Sequence, residues 1–79
     1  MAVYFVSMES TAGWGMLAGD KIIAPDASTA KRIGEAAFLD ETIPADASAE
    51  DRAWFELMFK SRRPRIEAGY KMTARKVRL

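Results

Sequence analysis

Lys21-Ile22-Ile23-Ala24-Pro25-Asp26-Ala27-Ser28-Thr29-Ala30 is a stretch in which a strand hands over to a helix. The apolar, β-branched run at its start has strand composition. Pro25 closes the strand, since proline cannot donate to a sheet ladder. Asp26-Ala27-Ser28 then opens a helix. Ser28 or Asp26 can cap its free N–H groups, and Ala30, Ile33, Ala37 and Phe38 recur at helical spacing. Gly34 within this helix costs about 1 kcal/mol relative to Ala. Its place is explained if the helix approaches a sheet closely there.

Upstream, residues 2–8 read Ala-Val-Tyr-Phe-Val-Ser-Met, a second strand composition. Val3 and Phe5 fall on one face and Tyr4, Val6 and Met8 on the other, so both faces are apolar and a central strand is expected. Residues 9–20, with Gly13, Gly15 and Gly19 among small and polar side chains, read as a turn region, with the following strand starting near Trp14. Downstream, residues 40–47 form an acidic connection. Ser48-Ala49-Glu50-Asp51 is a capping-box pattern that opens a second helix running to about Lys60, with Pro64 as its breaker. From Arg65 the apolar residues approach period two, so Ile66, Ala68, Tyr70, Met72 and Ala74 share one face of a last strand or of a hairpin turning near Gly69.

The order strand, strand, helix, helix, strand specifies an α+β fold: one domain over residues 1–79, an antiparallel sheet of about three strands, and two helices on one face. With no Cys and no His, neither a disulfide nor the usual structural zinc site can staple it. No metal or cofactor is expected. The core must come from packing, and the aromatics are its natural source. No segment approaches the roughly 20 apolar residues of a membrane span. The N-terminal run lacks the features of a signal peptide, and a soluble, intracellular protein is the expectation.

Charge divides unevenly along the chain. Residues 1–59 carry four basic and ten acidic side chains, a net of −6, and residues 60–79 carry eight basic ones against Glu67, a net of +7. Segregation of this kind bears on partners rather than on fold. Catalytic constellations are missing. Without His or Cys there is no triad and no imidazole acid–base group. Asp40-Glu41 reads as solvated surface, and the glycines at 13, 15 and 19 lack the spacing of a phosphate loop or a dinucleotide fingerprint. A non-enzymatic binding protein is expected.

Two groups of residues are candidates for contact. Arg62, Arg63, Arg65, Lys71, Arg75, Lys76 and Arg78 form a basic segment suited to phosphates or to an acidic protein, and Tyr70 within it could stack on a base. The bland alternative is a solvated strand face paired with the acids of residues 1–59. In the second helix, Trp54, Phe55, Leu57, Met58 and Phe59 spread over about 200° of the circumference. Either that helix is sandwiched between the sheet and the first helix, or Phe55, Phe59 or Leu57 is left exposed as an interface. Trp14, flanked by glycines, is either a lid on the core or an exposed anchor.

The succession Val3-Tyr4-Phe5-Val6, a turn, a strand through Ile22-Ile23-Ala24, then Asp26-x-Ser28-x-Ala30-Lys31-Arg32 opening a helix resembles several small anti-CRISPR proteins encoded by phages and mobile elements. The resemblance covers roughly residues 2–38 and transfers no binding residues. It implies a stoichiometric inhibitor in the cytoplasm of a bacterial host, one that binds a type I interference (Cascade-like) complex and blocks target-DNA recognition. The partner is then a protein or ribonucleoprotein complex. The alternative is a small phage nucleic-acid-binding accessory protein that contacts DNA through the basic segment, and a third reading is self-association through complementary charged ends.

Overall fold

Residues 4–9 pair on both sides, which makes β1 (Ala2–Ser10) the middle strand of a three-stranded antiparallel sheet. In the computed structural model, which describes residues 1–40 and 43–78, the remaining elements are β2 (Met16–Ala24), α1 (Ala27–Leu39), α2 (Ala49–Glu67) and β3 (Tyr70–Lys76). The sheet order is β2-β1-β3. The α+β architecture and the β-β-α-α-β order are those read from the sequence.

Both ladders have a defined register. Tyr4 lies opposite Ile22 on one side and Lys76 on the other, and Val6 opposite Asp20 and Ala74. Facing pairs share a side of the sheet, so Tyr4, Val6 and Met8 point one way with Ile22, Met72 and Ala74. That side meets α1. Val6, Ala24 and Ala30 are fully buried, and Tyr4, Ile22, Phe38, Met72 and Ala74 pack around them. The even residues of β1 fill this core, while Val3 and Phe5 of the other parity are half-buried on the side that α1 does not cover. A register shift between Met8 and Glu9 places Glu9 opposite Met16 and gives β2 a bulge at Leu17, which is itself buried.

The cap of α1 is Asp26, whose carboxylate accepts from the Thr29 backbone N–H at 2.7 Å. The buried residues of α1 are Ala30 and Gly34, with Phe38 half-buried one turn further on. Ile33 and Ala37, expected on the inner face, are exposed. The seat of α1 is the small-residue side, because Gly34 lets the helix axis come down onto Val6 and Ile22. A Cβ on Gly34 would stand 2.6 Å from Val6 Cγ1 and 3.1 Å from Ile22 Cδ1.

Several expectations need correction. Gly13 and Gly15 do occupy the β1–β2 turn, but residues 9–10 and 16–20 belong to the strands, and Gly19 is a strand glycine. The second helix does not stop near Lys60. It continues through Pro64 to Glu67. Proline removes one helical N–H, yet its carbonyl still accepts from Ala68 N–H at 3.1 Å, and the surrounding turn is exposed, where water can serve the orphaned carbonyl of the turn before it. Arg65, Ile66 and Glu67 are therefore helical rather than extended. The helix ends instead at Gly69, whose φ of +111° only glycine adopts comfortably, and β3 starts at Tyr70. Within β3 the expected alternation holds. Asp40 follows α1, whereas Glu41, its companion in the acidic pair, and the C-terminal Leu79 lie outside the described residues.

The sandwiched placement of the second helix is also overturned. Not one residue of α2 is buried. Its inner side carries half-buried Phe59, Arg62 and Ile66, and it meets the sheet chiefly at β2. Ser48 caps it as expected, its hydroxyl accepting from Asp51 N–H at 3.1 Å.

Candidate functional site

The side of the sheet turned away from α1 is built from the odd residues of β1 and their partners. Phe5 sits at its centre, with Lys21 of β2 directly opposite on one flank and Arg75 of β3 on the other. Neighbouring strands lie about 4.8 Å apart, so two exposed cations bracket one half-buried ring. Lys71, opposite Glu9, and Thr73, opposite Ser7, continue the surface along β3. Ser7 and Thr73 hydroxyls hydrogen-bond to each other across the β1–β3 ladder. A shallow depression opens there, bounded by Phe5, Ser7, Met16, Thr73 and Arg75 and by no helical residue.

Gly19 shapes this surface. A Cβ at that position would meet Met16 Sδ at 2.9 Å and Phe5 Cζ at 3.0 Å. The Phe5 ring and the Met16 side chain thus lie over a strand position that has no side chain. Ile23 and Met16 stay largely exposed beside them.

The basic segment read from the sequence does not form one patch. Lys71 and Arg75 reach the open face, while Lys76 pairs with Tyr4 on the side that α1 covers. Tyr70, proposed as a stacking platform, is half-buried opposite Ser10 on that same covered side, so it is not on the surface with Lys71 and Arg75. Arg62, Arg63 and Arg65 lie on α2, and Arg78 follows β3. Arg62 Nη1 donates to the Leu17 carbonyl at 3.3 Å, and burial holds its guanidinium below its ordinary pKa. That side chain ties α2 to β2. Arg63 lies over the Phe59 ring at 5.5 Å and forms an i,i+4 bridge to Glu67 at 3.5 Å. Missed in the sequence reading were Lys21, which sits in the acidic part of the chain, and Phe5, read as a core residue. The signal for both lay in the register, since parity alone does not say which side a helix takes.

The second surface is the outer side of α2. Trp54 is 56% exposed, Leu57 65% and Met58 42%. The Trp54 and Phe55 rings meet edge to face at 5.1 Å. Phe55, 37% exposed, and half-buried Phe59 line, together with Trp54, Met58, Ile43, Asp40 and Arg62, a groove of about 600 Å³ between α2 and the end of α1. Trp14 is half exposed in the β1–β2 turn and is not a lid on the core.

Among the described residues no group of acidic side chains is placed to hold a metal ion, and no helix is long and apolar enough to cross a membrane. No protein-family model matches the chain, and no curated protein and no solved structure matches it either.

Proposed function

We propose that this chain is a non-catalytic binding protein that holds a single strand of nucleic acid across the open face of its sheet. The observation that carries the reading is Phe5 on the central strand, bracketed in register by Lys21 and Arg75. Single strands are held by aromatic faces that stack on bases and by cations that track the phosphates. The open face offers one ring and three cations, Lys21, Lys71 and Arg75, against the single acid Glu9. Thr73 adds a hydroxyl at the centre. A sheet with this arrangement reads backbone and base planes and needs no chemistry at bonds.

The test is a titration of a labelled single-stranded oligonucleotide at two salt concentrations, with duplex of the same sequence as control. Affinity for the single strand should fall as salt rises, and Phe5→Ala should weaken it by about 1–3 kcal/mol per stacked base. Absence of binding at low salt, or binding indifferent to Phe5, sinks the reading.

A second reading is an inhibitor of a type I interference complex acting in the cytoplasm of a bacterial host, as the anti-CRISPR resemblance implies. The exposed Trp54, Leu57 and Met58 favour it, since aromatics and Met are enriched where proteins meet. Stable capture of purified type I effector complexes by this protein, without tight binding to free nucleic acid, would replace the first reading with this one.

A further inference from the structure

α2 is a helix of 19 residues whose inner side is no more than half-buried, at Phe59, Arg62 and Ile66, and the rest of its surface is open. Amphipathic helices owe most of their stability to the packing of their apolar face, and the apolar face of α2 that carries Trp54, Leu57 and Met58 is uncovered. We infer that a second copy of this chain covers it, through antiparallel pairing of α2 with α2 about a twofold axis between Leu57 and Met58.

The stripe itself argues for this occupant. Glu50, Trp54, Leu57, Met58, Ser61 and Arg65 are all exposed and recur at spacings of three and four, so they line one side of the helix. In a twofold antiparallel pair each residue meets its mirror position along the helix. With the axis between Leu57 and Met58, Leu57 packs on the partner's Met58, Trp54 falls on the partner's Ser61, and Glu50 meets the partner's Arg65. Apolar meets apolar, the largest side chain meets the smallest, and acid meets base, all twice over. An isologous interface needs this self-complementarity, and an unrelated partner would not. Antiparallel alignment also sets the acidic first turn of each helix, with Glu50 and Asp51, against the basic last turns of the other, and it opposes the helix dipoles. The pairing uses no residue of the open sheet face, so it goes beyond the nucleic-acid reading and does not depend on it.

Sedimentation equilibrium of the full chain over a range of concentrations tests the proposal. The expected species is twice the 8.8 kDa chain mass. Leu57→Lys, at a position 65% exposed in the single chain, should leave the circular dichroism of the fold unchanged while raising the dimer dissociation constant about tenfold or more, because charges are excluded from interface centres. Glu50→Arg alone, or Arg65→Glu alone, should each weaken the dimer, and the double swap should restore it. Fifteen residues separate the two positions, about 22 Å along a helix, so rescue cannot arise within one chain. A monomer at every concentration, a dimer indifferent to Leu57→Lys, or single swaps that the double swap fails to rescue would overturn the pairing. So would a chain that stays monomeric and buries the stripe only against an effector complex.

Discussion

Gly34 of α1 rests on Val6 of β1 so closely that a single added methyl group would stand 2.6 Å from Val6 Cγ1. Val6 is fully buried and β-branched, with Ala24 and Ala30 as its buried neighbours. It has no flexible end with which to yield. The distance between helix and sheet is therefore fixed by the absence of a side chain at one position and the stiffness of another.

Gly34→Ala should destabilise the protein although it improves helix propensity. The gain is about 1 kcal/mol, and overpacking of a tight core typically costs about 1–3 kcal/mol. Urea denaturation should show a net loss. In a Val6→Ala background the same change should become neutral or favourable, because the obstructing methyl is gone. A stabilising effect in the unaltered background would mean that α1 lifts off the sheet freely.

The cap of α1 predicts a pH dependence. The hydrogen bond from Thr29 N–H holds the Asp26 carboxyl below its ordinary value of 3.8, with the Thr29 side chain and Arg32 assisting. A carboxyl with a lowered folded-state pKa stabilises fully above its unfolded value and loses that contribution as pH falls through the folded one. The cap should therefore be complete above about pH 4 and fade below it. Asp26→Asn keeps a capping oxygen without a titrating proton. Thermal melts across the acid range should show a flatter acid limb for Asp26→Asn than for the unaltered protein.

Arg62 reaches from α2 to the β2 backbone, at the Leu17 carbonyl. Arg62→Met keeps the apolar stem and removes the donors. It should cost about 1.5 kcal/mol, the low end for hydrogen bonds made by charged groups. Hydrogen exchange should quicken in α2 and remain unchanged in β1, since the strand ladders do not involve Arg62.

On the open face, Lys21→Glu and Arg75→Glu should each lower the salt dependence of oligonucleotide binding by about one unit of slope, the signature of one lost phosphate contact. Arg63→Glu, away from that face, should leave the slope unchanged. An equal loss at Arg75 and Arg63 with none at Lys21 would restore the basic segment as a single patch and remove Lys21 from the site.

Local signals carried the fold further than the site. Pro25, Asp26 and Ser48 mark boundaries through local chemistry, and β2 ends and α1 and α2 begin where those residues place them. Pro64 misled because its effect depends on whether the helix around it is exposed, which is a tertiary fact. Ile33 and Ala37 misled because the seat of α1 is chosen by the small Ala30 and Gly34, where approach is closest, and not by the bulkiest apolar side chains. Lys21 and Arg75 are 54 positions apart, and only the order β2-β1-β3 brings both to Phe5. Linear charge counting groups Arg75 with Arg62 and leaves Lys21 among acids. The candidate site is thus a product of register, which pairs residues across distances that composition does not see.

The same strand order governs how the chain comes together. β1 and β2 are joined by a short turn and close locally, whereas β3 reaches β1 across 66 residues, as the Ser7–Thr73 hydroxyl pair measures. By loop-closure entropy, bringing such distant segments together costs roughly 2 kcal/mol more than closing a short hairpin. Folding should accordingly begin with the hairpin and α1, whose contacts are near in sequence, and finish with the arrival of β3. Until then one edge of β1 stands bare, and it is the edge at which a neighbouring chain's β3 could be exchanged for its own.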